Sequence, residues 1–248
     1  KAAMKPSKSV FLLGLGMSSK AVARFVQQAG HSFYFWQDTP IAAPTLTEWQ
    51  ALGGSLLNPL ESKSALEDLV AEVVVSPGIG PTHPILVKAR TLKIPISTEL
   101  SWAWIRLRWE PCVYSITGTN GKSTVCDMIT FALNKLAGQS CIASGNIGYP
   151  LASVLLSGDQ PTALSIEISS YQLEYMTNFA TDAAIITNLE PDHLARHGDL
   201  KTYAACKARL LEFLKPGGIL ITTRECLETY KSLEISWPET ETIVLGAA

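Results

Sequence analysis

Residues 117–124 read Thr117-Gly118-Thr119-Asn120-Gly121-Lys122-Ser123-Thr124, between an apolar run at Val113 to Ile116 and a helical pattern that begins at Lys122. Glycines in such a turn let backbone N–H groups face inward around an anion. A helix N-terminus there adds roughly half a positive charge, and a lysine adds a full one. Ser123, directly after the lysine, can offer its hydroxyl to Mg²⁺. The usual phosphate-loop spacing wants a glycine where Ile116 stands, so this is a shortened variant. The plainer alternative is a glycine-rich strand-to-helix turn with a solvated lysine.

Further candidates stand where strands are expected to end. Glu167 lies in Ser165-Ile166-Glu167-Ile168-Ser169-Ser170-Tyr171-Gln172, and His193 follows a strand expected over 182–187. Open α/β sheets bind ligands at the carboxyl ends of their strands, and a carboxylate leaving a buried strand beside a phosphate loop suits Mg²⁺. Taken alone, each residue reads first as a capping carboxylate or a loop histidine; beside the phosphate loop, the balance reverses. Lys207 falls four residues after Tyr203 on a helix expected over 200–214, on the same face. Its residue type by itself predicts an ordinary solvated lysine. Gly14-Leu15-Gly16-Met17-Ser18-Ser19 is a partial dinucleotide fingerprint with Ser19 in place of the third glycine. Asp38 ends the second apolar run, about where an acidic residue would meet a ribose hydroxyl. A tight turn with no ligand gives the same pattern.

These groups need a scaffold that alternates strands with helices. From Val10 to Pro95 the runs VFLLG, SFYFW and EVVVSPG alternate with SSKAVARFVQQAG and HPILVKARTLKIPIS, which predicts β-α-β units and a parallel sheet. A tryptophan-rich helix, LSWAWIRLRW, is expected to stop at the Glu110-Pro111 step, and a domain boundary is placed there. The alternation restarts with CVYSIT and runs through STVCDMITFALNKLAG, SCIAS, TALSIEI, DAAIITNL, LKTYAACKARLLEFL, a Pro216-Gly217-Gly218 turn, GILITT and ETIVLG. The fold class expected is α/β throughout, in two domains over 1–110 and 111–248.

Composition bounds the function. The chain has 248 residues, 47% apolar and 17% charged, which fits packed domains and argues against disorder. Twenty basic against 22 acidic residues give a net charge of -2, so no bulk positive field exists for nucleic acid. No apolar run approaches the ~18 residues that span a bilayer. Five cysteines without a C-x-x-C pair suit reduced thiols, and the chain reads as cytoplasmic. Lys1, Lys5 and Lys8 before Val10 to Met17 imitate a signal peptide, but the run is short and carries Gly14 and Gly16. Lys1-Ala2-Ala3 ahead of Met4 reads as an expression scar.

Taken in order, these residues resemble the Mur ligase family, the ATP-dependent amide ligases of peptidoglycan precursor synthesis. The resemblance is carried by GLGMSSKAV (14–22), VVSPGI (74–79), STEL (97–100), TGTNGKST (117–124), SGNIGYPL (144–151), IEISSYQLE (166–174), NLEPDHLARHGDL (188–200) and YAACKARL (203–210). TGTNGKST marks the wider family, including folylpolyglutamate synthase. SSYQLE with GNIG and the GLG turn points to the D-glutamate-adding member, with UDP-N-acetylmuramoyl-L-alanine and D-glutamate as substrates. The resemblance implies a Rossmann-like domain for the uridine nucleotide over 1–110 and a P-loop ATPase-like central domain over 111–248. It implies a cytoplasmic monomer with no nucleic-acid or membrane partner.

The resemblance also implies roles. Gly14, Met17, Ser18, Asp38, Thr39 and Gly78 match positions around the uridine diphosphate, and Asn146, Ser169 and Gln172 match positions facing the sugar and peptide. Gly118, Thr119, Asn120, Gly121, Lys122, Ser123 and Thr124 would hold ATP, and Ser123, Glu167, His193 and a carbamylated Lys207 would hold Mg²⁺. Lys122, His193 and Lys207 are the implied catalytic residues. The substrate carboxylate would attack the γ-phosphate to give an acyl phosphate, and the D-glutamate amine would displace phosphate. The sequence departs from the family pattern at Ala195, where the family usually has aspartate, and in a slightly short loop from His193 to Tyr203. It is also expected to stop inside the central domain, before the family's C-terminal amino-acid-binding domain. Two rival readings remain open: a nicotinamide-dependent oxidoreductase using the Gly14 turn, which leaves TGTNGKST without a task, and a non-catalytic nucleotide-binding module.

Overall fold

Strands covered on both faces lose the in-and-out alternation of a half-exposed sheet. The first strand, β1 (Ser9–Leu13), behaves this way, with Phe11, Leu12 and Leu13 all fully buried. The computed structural model describes residues 8–61 and 65–246; Lys1-Ala2-Ala3, Met4 and Lys5 lie outside the described residues. After β1 come α1 (Met17–Gln28), β2 (Phe33–Trp36), α2 (Ala43–Ala51), β3 (Gly54–Leu56), α3 (Ala65–Leu69), β4 (Val70–Val75), α4 (Pro84–Thr91), β5 (Ile96–Ser97) and α5 (Glu99–Trp104). Their strands pair in parallel in the order β3-β2-β1-β4-β5. The order reverses between β1 and β4, the switch point outside whose carboxyl ends open sheets bind ligands. The Gly14 turn leaves β1 there, and the Ser76 loop leaves β4, with Ser76 N–H donating to Leu13 O at 2.8 Å.

A second sheet follows: β6 (Cys112–Thr117), α6 (Lys122–Lys135), β7 (Cys141–Gly145), α7 (Leu151–Ser157), β8 (Ala163–Glu167), α8 (Ser170–Leu173), β9 (Thr181–Ile186), α9 (Leu194–His197), α10 (Leu200–Ala208), β10 (Leu214–Thr223), α11 (Arg224–Ser232) and β11 (Glu241–Leu245). Its order is β11-β10-β9-β6-β8-β7, again all parallel. β6 lies between β8 and β9, so the loop leaving β6 is flanked by the ends of both. That register sets Glu167, the last residue of β8, opposite Ile116.

The chain forms two compact units. One holds residues up to Arg106 together with Pro150–Ser157 and Tyr175–Thr177; the other holds Leu107–Tyr149, Gly158–Glu174 and the chain from Asn178 onward. The first has a core around Phe11, Leu13, Val73, Val75, Ile85 and Leu86, and the second has one around Ile116, Cys126 and Ile185. Helix α7 belongs to the first unit, packing on α1 and α5. All five cysteines are free thiols. Among the described residues no helix is long and apolar enough to cross a membrane.

Several sequence expectations are corrected. The tryptophan-rich helix ends at Trp104 rather than running to the Glu110-Pro111 step; Arg106 instead folds its guanidinium over the Trp102 ring at 3.9 Å and donates to Glu72 at 2.8 Å. The helix expected over 200–214 is α-helical only to Ala208 and continues as a 3₁₀ turn over Arg209–Phe213. Pro216-Gly217-Gly218 is a bulge inside β10 rather than a turn before it, with the pairing to β9 jumping from Leu214↔Thr181 to Ile219↔Ala183. Pro216 has no N–H to give a ladder and Gly217 takes φ +79°, so both suit a bulge. The strand expected over 182–187 is Thr181–Ile186.

Candidate functional site

In the second unit, Gly121 takes φ +78° as the N-cap of α6, a left-handed conformation that glycine adopts without strain. Gly118 has no alternative, because a Cβ there would lie 1.9 Å from Thr187 Oγ1. The turn is braced from the end of β9. Asn188 Oδ1 accepts the N–H groups of Thr119 (3.1 Å) and Asn120 (2.8 Å), and Thr187 Oγ1 donates to Asn120 O at 2.6 Å. Asn120 Nδ2 donates to Glu190 Oε2 at 3.1 Å, and Thr119 Oγ1 exchanges hydrogen bonds with the Glu190 backbone. Thr187, Asn188 and Glu190 are therefore loop-holding residues that sequence reasoning missed. Asn188 and Glu190 lie within the NLEPDHLARHGDL motif, but only the position of these residues after the strand neighbouring β6 shows what they brace.

Two lysines converge on one oxygen. Lys122 Nζ donates to Gly118 O at 3.1 Å and Thr119 O at 2.9 Å, and Lys207 Nζ donates to Gly118 O at 2.7 Å. Lys207 is only 1% exposed, which corrects the expectation of a solvated lysine. Its helix buries Tyr203, Ala204, Cys206 and Ala208 alongside it, and the ammonium lies 4.5 Å over the Tyr203 ring. Burial, helped by repulsion from Lys122, pushes the Lys207 amine down to about 7. Tyr203 in turn sets its hydroxyl 3.3 Å from Thr119 Oγ1.

Glu167 is buried at the end of β8. Its Oε2 accepts Ser123 Oγ at 2.6 Å and its Oε1 accepts Asn146 Nδ2 at 2.9 Å. Asn146 is fixed by the preceding turn: its N–H donates to Glu167 O at 2.9 Å, and a Cβ on Gly145 would sit 2.2 Å from that same carbonyl. Among the described residues there is no group of three or more His, Cys, Asp or Glu side chains able to hold a metal. One carboxylate beside a hydroxyl is still the hard-oxygen donor set that Mg²⁺ takes when substrate phosphates complete its shell.

His193 stands apart from that pair. It caps α9 at φ +52°, its side chain is 48% exposed, and its ring lies tilted against the Tyr171 ring with centroids 5.0 Å apart. No hydrogen bond or ion pair joins it to Ser123, Glu167 or Lys207 among the described residues. Ala195 beside it is exposed. His197 is the buried imidazole of this segment: Nε2 lies 3.0 Å from Ser170 Oγ, Nδ1 lies 3.5 Å from Glu174 Oε1, and burial lowers its basicity. Ser169 and Gln172 are engaged with each other in a capping box on α8, and Gln172 is buried.

In the first unit, Gly14 takes φ +91°, and a Cβ there would lie 2.6 Å from Ser76 Oγ. Ser19, at the missing third glycine, is buried and bonds Ser76 Oγ at 3.1 Å, tying α1 to the loop after β4. Met17 is 67% exposed, Ser18 is half-buried, and Asp38, Thr39 and Gly78 are exposed. Asp38 Oδ2 accepts His83 Nε2 at 2.8 Å.

Comparison with known proteins finds relatives in sequence and in fold. Residues 116–243 match the Mur ligase middle domain. The chain is 32% identical over 224 residues to the UDP-N-acetylmuramoylalanine–D-glutamate ligase of Fervidobacterium nodosum, covering 90% of this chain and 52% of that protein. It is 39% identical over 214 residues to the protein of that name from a Synechococcus species, covering 81% of this chain and 44% of that protein. The chain thus spans about half the length of the curated relatives it matches. Among solved structures, the fold resembles the UDP-N-acetylmuramate:L-alanyl-γ-D-glutamyl-meso-diaminopimelate ligase of Neisseria meningitidis, with TM-score 0.59, 17% identity and coverage of 96% of this chain and 77% of that one. It also resembles the UDP-N-acetylmuramate-alanine ligase of Thermotoga maritima, with TM-score 0.51, 20% identity and coverage of 91% and 51%.

Proposed function

The chain belongs to the Mur ligase family, and from that premise we propose that it carries the uridine-nucleotide and ATP-binding parts of a ligase. That ligase joins D-glutamate to UDP-N-acetylmuramoyl-L-alanine in the cytoplasm, the γ-phosphoryl group of ATP passing to the substrate carboxylate to give ADP and an acyl phosphate, from which the D-glutamate amine displaces phosphate. The 32–39% identical relatives bearing that ligase name favour this member over folylpolyglutamate synthase. The observation that carries the chemistry is the loop at 117–124, with Lys122, Lys207 and Glu167 gathered on it.

In this reading Gly118 to Thr124 cradle the ATP phosphates, Lys122 turns from the loop carbonyls to the β- and γ-phosphates, and N–H groups of the first α6 turn meet oxygen charge that grows during transfer. Ser123, Glu167, His193 and a carbamylated Lys207 are the proposed holders of Mg²⁺, which when bound neutralises phosphate charge. Carbamylation is favoured by the lowered basicity of Lys207: the neutral amine attacks CO₂, an N–C bond forms, a proton leaves, and a buried cation becomes an anion. Gly14, Met17, Ser18, Asp38, Thr39 and Gly78 take the uridine diphosphate, and Asn146, Ser169 and Gln172 face the sugar and peptide.

Lys122→Ala should reduce affinity for a nonhydrolysable ATP analogue by at least about 100-fold, as loss of a charge-assisted phosphate contact implies, while leaving UDP-N-acetylmuramoyl-L-alanine affinity within about twofold. Calorimetric titration of both ligands decides it, and equal loss of both contradicts the division of labour. With ¹³C-bicarbonate, a carbamate carbon resonance should appear in the unaltered chain and vanish in Lys207→Ala. A spectrum identical in the two would remove the modification from the reading.

A further inference from the structure

We propose that His83 is the positioning residue for Asp38 in the uridine-nucleotide site of the first unit, clamping one carboxylate oxygen so that the other is presented to an N–H or O–H donor of the nucleotide. This rests on the nucleotide-facing reading of Asp38 given above. The His83 ring touches two partners with opposite needs. Its Nδ1 accepts the Ile85 N–H at 3.2 Å, capping α4, and its Nε2 lies 2.8 Å from Asp38 Oδ2. A nitrogen that accepts carries no proton, and a neutral imidazole has one donor and one acceptor, so the cap assigns the ring proton to Nε2 and aims it at the carboxylate.

The two sides of the clamp differ in rigidity. The His83 side chain is only 11% exposed, and it opens a helix whose Ile85, Leu86 and Ala89 are buried in the core around Phe11 and Val73. Pro84 at the first helical position fixes that entry further. Asp38 sits on the loop after β2 with its side chain 64% exposed. Loop carboxylates lose rotamer freedom when they bind, and a preset orientation lowers that cost. Oδ2 is taken by His83, so Oδ1 is the oxygen left for the ligand. Sequence pattern does not find this residue, because His83 is 45 positions from Asp38 and belongs to no nucleotide motif.

Two substitutions separate the cap from the clamp. Asparagine places a carbonyl oxygen near the position of Nδ1 and keeps the α4 cap without reaching Asp38. Glutamine places an amide N–H₂ near the reach of Nε2 and keeps the donor without the cap. Titration of the chain with UDP-N-acetylmuramoyl-L-alanine should show about tenfold weaker binding for His83→Asn, the scale of one hydrogen bond to a charged group, and a change within about threefold for His83→Gln. Thermal unfolding should show the reverse order, with His83→Asn close to the unaltered chain and His83→Gln lower by a few degrees, about what a lost cap costs. In an Asp38→Asn background, His83→Asn should weaken binding no further. Unchanged affinity in His83→Asn, or affinity that falls in step with stability in both variants, overturns the clamp alone. Failure of the unaltered chain to bind the uridine ligand overturns the clamp and the nucleotide reading together.

Discussion

At the scale of single residues, Lys207 couples stability to function most directly. Its amine is lowered from 10.5 to about 7 in the folded chain, so between those values the unfolded state holds the extra proton and stability rises with pH. Below about pH 7 both states are protonated, and the full cost of the buried cation remains. Lys207→Met should therefore stabilise the chain by about 1–3 kcal/mol at pH 7 in carbonate-free buffer, with the gain shrinking as pH approaches 10. Urea unfolding of both chains across that range measures it; a gain independent of pH would show that packing, not charge, was responsible. The loop itself was legible in sequence because strand, turn and helix are adjacent there. The burial of Lys207 and the bracing by Thr187 and Asn188 were not, since they depend on which strand lies beside β6, with partners 67 to 89 residues away.

At the scale of elements, α5 and α7 show how a buried carboxylate can fasten one helix to another. Glu99 opens α5 and is 3% exposed; its Oε1 accepts the Ala152 N–H at 2.6 Å, while Oε2 is buried with no hydrogen-bond partner among the described residues. Burial raises its carboxyl from 4.5 to about 7 despite the Ala152 contact. For a raised acid the stability contribution is complete below pH 4.5 and is lost as pH climbs through 7. Glu99→Gln keeps an acceptor for Ala152 and removes the ionisation, so it should flatten the fall in stability between pH 4.5 and 7 and leave the variant more stable at pH 8. Tm measured at intervals over that range tests this, and parallel curves for the two chains would refute it. STEL read in sequence gave a motif position for Glu99 and no reason for it, because its partner lies 53 residues later. The parallel strands were legible from their unbroken apolar runs. The bulge at Pro216 to Gly218 was not, since a bulge and a turn call for the same residue types.

At the scale of the whole molecule, chain order and spatial membership differ. Pro150–Ser157 and Tyr175–Thr177 are separated in sequence from the first 106 residues yet belong to the same compact unit. Leu151 and Val154 are fully buried there, and Tyr175 is 6% exposed, with its hydroxyl donating to Ile79 O at 2.5 Å. Burial of side chains this large contributes about 1.5–3 kcal/mol each, so removing the three forfeits roughly 4.5–9 kcal/mol. A domain is stable by only about 5–15 kcal/mol in total, so the loss is comparable to everything available. A fragment ending at Arg106, near the boundary that the Glu110-Pro111 step suggests, would keep all five strands of its sheet and expose the faces of α1 and α5 that α7 covers. It is expected to keep far-ultraviolet circular dichroism, lose the near-ultraviolet signal of its tryptophans and bind a hydrophobic dye, the marks of a collapsed chain without fixed packing. The 248-residue chain should unfold cooperatively under the same conditions. A sharp unfolding transition in the fragment, with its near-ultraviolet signal intact, would mean that α7 decorates the first unit rather than completing its core.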